Sequence, residues 1–499
     1  MKNLVCFASR TIYETMEQIT LNGKGVVFVV DDHEKFLATI TDGDIRRAIL
    51  SKISLGAKIE SLVKKNSKEF QLLLSRFPAE IAKKLQRPSA SANIGTPVEE
   101  LLNMVSERIN IIPLLKDHKV VDYFQHKALF YAPIASPCLR GNELKYVVEC
   151  LETNWISSQG RFIPIFEKMI SDYCGLKFGV AVSNGTVALH LALMTLNIAE
   201  GDEVIVPDLT FGATINAVLQ ARATPVIVDV EPDSWCIDPL LIEKAITKKT
   251  KAIIPVHIYG QMANMKKISE IAKKNNLFII EDCAESIGAA FENKMSGGFS
   301  DIACYSFFAN KVITTGEGGM CLTNSKELDE RMKVLRDHGM SKTKRYWHDH
   351  VGMNYRLTNI QAAIGVAQVE QIDSFAMRRN QIRSLYEEKL SHNPLFTPQM
   401  KIKDRKSITW LVTFLMDKRI DIDKMISLAC EINIDLRPFF YPLSEMEPFK
   451  KFKFETCPVT NDLSSRGLCF PTSMVFSDEE YCRIIRSLDE ISHKCIKFL

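Results

Sequence analysis

Between residues 178 and 284 the chain repeats one pattern. FGVAVS (178–183), DEVIVP (202–207), TPVIVDV (224–230), TKAIIPVHIYG (250–260) and NLFIIEDCA (276–284) are short, unbroken apolar runs rich in β-branched residues, and amphipathic stretches with helical spacing separate several of them. A strand with one wet face alternates apolar with polar residues. A run without alternation needs cover on both faces, and a mostly parallel sheet flanked by helices provides it. This predicts an α/β domain over about 130–375. Ligands in such sheets collect at the carboxyl ends of the strands, so the residues after each run carry the functional question. Beyond it, TWLVTFLM (409–416), helical stretches and the proline turns RPFFYP (437–442) and FPTS (470–473) predict a smaller α+β lobe over 376–499.

The first 127 residues read as two copies of one small unit. In the first, TIYETMEQIT has helical spacing, GVVFVV (25–30) and FLATIT (36–41) are strands around the turn DDHEK, and IRRAIL is a helix after DGD. In the second, TPVEELLNMV (96–105) is a helix, and NIIPLL, KDHK and VVDYF repeat strand, turn, strand. Between them, SKEFQLLLSRFPAEIAKKLQRP is amphipathic and helical. The repeat resembles a tandem CBS module. Such modules often bind adenine nucleotides, and the resemblance puts Thr41 and Asp44 of TITDGD on the ribose. The same two residues also suit a plain turn and helix cap. The second copy lacks the corresponding threonine and aspartate. HKALFYAPIASP (126–137) joins this repeat to the α/β domain and is short enough to favour a docked module.

With 63 Lys plus Arg against 60 Asp plus Glu, the net charge of +3 gives no reason to expect nucleic acid or an anionic membrane as partner. No apolar run reaches the ~18 residues that span a bilayer. Thirteen cysteines are scattered with no C-x-x-C pair, which argues against a disulfide framework or a zinc site. A cytoplasmic, reduced protein without a metal is expected.

Three strand-end features carry chemistry. VSNGTVALHLALM (182–194) turns from a strand into a helix through small residues, and the helix start offers N–H groups to a phosphate; capping alone also explains such a turn. LFIIEDCAESIG ends a buried strand in Glu281 and Asp282. A carboxylate there needs a cationic partner, such as a protonated pyridine nitrogen, or it caps the next helix. SFFANKVITTGEGGM places Lys311 beside an apolar run, where desolvation lowers the pKa of an amine and makes it nucleophilic. Phosphate anchor, acid and amine, in this order, fit pyridoxal phosphate.

From about residue 130 onward the chain resembles the DegT/DnrJ/EryC1/StrS family, pyridoxal-phosphate sugar aminotransferases of the type I (aspartate aminotransferase) fold. NWISSQGRFIPIFE, VSNGTVALHLAL, VPDLTFGATINAV, PVHIYGQ, EDCAESIGA, SFFANKVITTGEGGM, GMNYRLTNIQAAIG and RPFFYPL carry the likeness. It implies Lys311 as Schiff-base lysine and proton shuttle, Asp282 on the pyridine nitrogen, and Phe211 on the ring face. It further implies Gly185, Thr186 and Ser306 on the phosphate and Glu285 beside the ring hydroxyl. Asn354 and Arg356 lie on the loop that, in the family, reaches the neighbouring subunit's site, which implies a homodimer. Relatives with histidine for the lysine are dehydratases; the lysine here favours transamination. LRDHGMSKTKRYWHDHVGMNYRLTNIQAA (335–363) is most like the members that aminate C4 of GDP-4-keto-6-deoxy-mannose with glutamate as donor. His338, Arg345, Tyr346, Trp347 and His348 would then lie near the nucleotide sugar; an ordinary surface loop is the alternative.

Overall fold

The computed structural model describes residues 3–64, 67–75, 90–97, 100, 101, 104, 111–125 and 131–496. The chain forms two compact units, Met1–Phe130 and Tyr131–Leu499. Most of the helix expected over 96–105, the later part of the one over 67–88, and the start of the joint lie outside the described residues.

In the first unit, β1 (Val5–Phe7), β2 (Val26–Val30) and β3 (Phe36–Thr41) form one sheet, and β4 (Ala92–Asn93), β5 (Ile111–Lys116) and β6 (Lys119–Gln125) another. Both sheets join a parallel pair to an antiparallel hairpin, and both hairpins carry a register shift near the turn. The internal repeat is thus architectural as well as sequential. All five residues of β2 are buried because both faces are covered. Val27 and Val29 meet Ile12, Ile19 and Ile45 from the helices Ile12–Asn22 and Asp42–Leu50. Val26 and Phe28 meet Leu4 and Ile111.

The second unit is built on seven strands: β7 (Phe178–Val182), β8 (Glu203–Pro207), β9 (Thr224–Val228), β10 (Thr250–Ile253), β11 (Phe278–Asp282), β14 (Ile302–Ser306) and β15 (Gly319–Thr323). Their order is β7-β15-β14-β11-β10-β8-β9, and only β15 runs against its neighbours. The apolar runs divide by period two between two cores. Ala181, Ile205, Ile253, Ile279 and Ala303 face one; Val180, Val204, Val206, Ala252, Ile280 and Cys304 face the other. This two-sided burial is why the runs lack alternation. Between β11 and β14, the short strands β12 (Ala290–Phe291) and β13 (Lys294–Met295) pair with each other, and β12 also pairs with β17 (Arg405–Lys406).

The chain ends in an antiparallel sheet of β16 (Phe396–Pro398), β18 (Val412–Met416), β20 (Gly467–Phe470) and β19 (Arg437–Pro438). The helix Ile372–Leu390 runs through position 375 without a break. Buried acids tie the lobes together. Asp208, just after β8, accepts from Ser444 N and Oγ, and Asp229, just after β9, accepts from Val459 N, Thr460 N and Thr460 Oγ1.

Candidate active site

The carboxyl ends of β7, β11 and β14 open on a cavity of about 850 Å³. Each supplies a group. After β7 the chain passes Asn184, whose Oδ1 accepts from Val187 N at 3.0 Å, and starts the helix Gly185–Thr195. Gly185 and Thr186 line the cavity at the positive end of that helix. Ser306 closes β14 beside them. A Cβ at Gly185 would stand 2.8 Å from Ser306 Cβ, so the glycine is what lets the helix start approach the strand end.

β11 ends in two buried acids that point to opposite faces. Glu281 serves the scaffold. Its oxygens accept from Gly297 N and Phe299 N, both at 2.9 Å, and Oε1 lies 3.0 Å from His257 Nε2. Ala263 N donates to His257 Nδ1, so Nε2 carries the proton. Burial opposes the charge on Glu281, but the bonds from His257 and Gly297 outweigh it and hold the carboxyl below its usual range. Asp282 faces the cavity instead. It accepts from Thr214 Oγ1 at 2.9 Å and from Ala284 N at 3.1 Å. Burial raises its pKa despite these bonds, so its charged form is short of a cationic partner.

Lys311 sits in the loop after β14 and also faces the cavity. Its Nζ is 3.7 Å from Glu285 Oε1 and 3.8 Å from the centroid of the Trp410 ring. Burial lowers its pKa, against the pull of Glu285 and Asp282. Glu285 accepts from Tyr259 N at 2.7 Å, and burial pushes its pKa up to about 7. Phe211 is 63% exposed on the cavity rim, 5.8 Å from Phe440. A primary amine of weakened basicity, a buried acid wanting a cation, a helix start and a free aromatic face suit the amine-binding, ring-nitrogen, phosphate and ring-face demands of pyridoxal phosphate.

Gly185, Thr186, Phe211, Asp282, Glu285, Ser306 and Lys311 are therefore brought together. Asn354 and Arg356 do not line this cavity. Arg356 donates to Asn354 Oδ1 at 3.0 Å and pairs with Asp337 at 2.8 Å, while Met353 and Tyr355 face the cavity instead. The loop of His338, Arg345, Tyr346, Trp347 and His348 also stays off it. Tyr346 and Trp347 are exposed, with Arg345 and Lys344 over their rings, and His348 Nδ1 meets His338 O. Thr41 and Asp44 form a reciprocal capping box on the helix Asp42–Leu50, and Asp44 also pairs with Arg47.

Some cavity residues escaped the sequence reading. Thr214 lies three residues after Phe211 in TFGAT, one helical turn on. Trp410 stands in a strand-like run that gave no hint of its ring's direction. His190 comes four residues after Thr186 and meets Tyr355 Oη at 2.9 Å; helical spacing could have flagged it. Among the described residues, His257, Glu281 and Cys283 alone cluster in the manner of metal ligands. Burial drives the Cys283 thiol well up, and Glu281 is already occupied by its N–H donors.

A model of the DegT/DnrJ/EryC1/StrS aminotransferase family matches residues 137–489. The GDP-perosamine synthase of Caulobacter vibrioides is 43% identical over 362 residues, covering 72% of this chain and 97% of that protein. The enzyme of the same name from Escherichia coli O157:H7 is 43% identical over 360 residues, covering 72% of this chain and 98% of that protein. Among solved structures, the pyridoxal-phosphate form of the sugar aminotransferase Spr1654 from Streptococcus pneumoniae, described as putative, superposes with a TM-score of 0.70 at 26% identity, covering 74% of this chain and 100% of that chain. PseC of Helicobacter pylori, an aminotransferase of pseudoaminic acid biosynthesis, gives 0.69 at 28% identity, covering 73% and 100%.

Proposed function

The chain belongs to the DegT/DnrJ/EryC1/StrS aminotransferase family and is a pyridoxal-phosphate-dependent sugar aminotransferase, and on that premise we propose that it aminates C4 of a nucleotide-linked 4-keto-6-deoxy sugar. GDP-4-keto-6-deoxy-mannose is the favoured substrate, GDP-perosamine the product and glutamate the amino donor. The cavity that gathers Lys311, Asp282 and Glu285 carries this reading, with support from the two perosamine synthases at 43% identity. When bound, pyridoxal phosphate supplies an electron-withdrawing ring that stabilises negative charge at the reacting carbon. Asp282 holds a positive ring nitrogen. Lys311 would hold the cofactor covalently through its Nζ, and the free Nζ would hold the proton that the substrate carbon gains or loses. The N-terminus of the helix Gly185–Thr195, with Thr186 and Ser306, anchors the phosphate. Phe211 covers the ring and keeps water from one face.

Asn354, Arg356 and the aromatic loop at 338–348 then serve the cavity of a second copy in a homodimer, a reading supported by their absence from the lining of their own. The N-terminal repeat acts as a sensor for an adenine nucleotide, held at Thr41 and Asp44. Among the described residues no helix is long and apolar enough to cross a membrane.

The test is to incubate the full-length enzyme with glutamate and GDP-, UDP- and dTDP-linked 4-keto sugars, with and without AMP or ATP. 2-Oxoglutarate release and product masses are the readouts. The expected outcome is an amino sugar from the GDP-linked substrate in preference to the others, at a rate that a nucleotide alters. A keto sugar that loses water without oxoglutarate release would contradict transamination.

A further inference from the structure

The Ile372–Leu390 helix buries Ile372, Phe375, Arg379, Ile382, Tyr386 and Leu390 along one stripe. A guanidinium thus occupies a place where the spacing calls for an apolar side chain. Arg379 is 1% exposed. A buried charge is costly without a counter-ion, yet its bonds go to two backbone carbonyls. Nη1 donates to Trp410 O at 2.5 Å and Nη2 to Lys311 O at 3.1 Å. Burial brings its pKa down to about 10, which still leaves it cationic at neutral pH.

The two residues it ties are the two whose side chains meet in the cavity. The Lys311 amine lies over the Trp410 indole, and Trp410 Nε1 donates to Asn310 O at 3.0 Å, a third tie between the same segments. Tyr259 stacks with the indole at 6.1 Å and 11°, and Phe440 stacks with Tyr259 at 5.7 Å and 13°. The indole is therefore fixed in plane as well as in position.

We propose that Trp410 and Arg379 are positioning residues for Lys311: the indole is the resting place of the amine whenever it is not joined to the cofactor, and the guanidinium sets the spacing between the two. This rests on Lys311 being the lysine that holds the cofactor. An amine parked on an aromatic face stays within reach of the reacting atoms instead of sampling its rotamers. The charged groups facing it are Glu285 and Asp282, which favour its protonated form, and Arg379, which with burial opposes it. The indole face favours the cation. Removing the arginine's charge therefore moves the amine's titration to higher pH, and removing the indole moves it lower.

The experiment strips the full-length protein of cofactor, adds pyridoxal phosphate across a pH series, and tracks the growth of visible absorbance. Arg379→Met should raise the midpoint of the rate profile by at least about half a unit, roughly threefold less neutral amine at a given pH. Arg379→Lys keeps the charge but cannot span two carbonyls, so its midpoint stays with the parent's while capture slows at every pH. Trp410→Leu should lower the midpoint, and Trp410→Phe, which keeps an aromatic face, should restore most of it. Circular dichroism melts show that each variant is folded; if Arg379→Met does not fold, Arg379→Lys and the tryptophan pair still decide. Rates and midpoints equal to the parent's in the folded variants would overturn the clamp. Capture that persists in Lys311→Ala would remove its premise instead.

Discussion

Glu285 and Lys311 face each other across 3.7 Å with burial acting against the charge of both. For Glu285 burial wins over the nearby amine and pushes the pKa from 4.5 up to about 7. Between those values the folded protein holds a proton that the unfolded chain has released. Stability from this group is therefore greatest at the acid side and is lost as pH rises through the window. Glu285→Gln removes the titration. The melting temperature of the cofactor-free variant should fall less than the parent's between pH 4.5 and 7; parallel profiles would contradict it. At this scale the sequence exposed the residues whose company is odd for their type: an acid ending an apolar strand, a lysine beside an apolar run. Thr214, Trp410 and Tyr355 were hidden because packing, not local pattern, turns them inward. Arg379 did leave a trace, as an arginine in phase with an apolar stripe.

Among the elements, the runs at 178–284 were readable because two-sided burial removes alternation. β14 and β15 were not. IACYS comes after a glycine-rich turn and ends in a polar residue, and GMCLT begins with the glycine that ends the Lys311 loop, so neither was named as a strand. Yet β14 is what sets Ser306 beside the helix Gly185–Thr195. Gly185→Ala tests that contact. The added methyl meets Ser306 Cβ at 2.8 Å, and the helix start has to shift, at a typical overpacking cost of about 1–3 kcal/mol. Cofactor affinity should fall about tenfold, as 1.4 kcal/mol implies, in a protein that stays folded. Absorbance titration of the stripped variant with pyridoxal phosphate measures it, and an unchanged affinity would contradict the placement of the phosphate.

At the scale of the whole molecule the chain divides into two units. The family model begins at residue 137, so the repeated N-terminal sheets lie outside the part that resembles other aminotransferases. The paired hairpins β2–β3 and β5–β6 were legible because a repeat needs no knowledge of packing, while the short parallel strands β1 and β4 beside them were not. In the second unit, Asp282 comes from a strand end, Lys311 from the loop after another, Trp410 from the chain's last third and Arg379 from the helix Ile372–Leu390. Sequence order could name the first two, but only the closed fold shows that the other three segments converge on Lys311. Whether that amine is the one holding the cofactor is open to direct measurement. Borohydride reduction of the loaded full-length enzyme, with subsequent proteolysis and peptide mass spectrometry, fixes the cofactor on whichever lysine carries it. The phosphopyridoxyl mass should appear on the peptide containing Lys311 and vanish in Lys311→Ala; its recovery on any other lysine of the native enzyme would contradict the account.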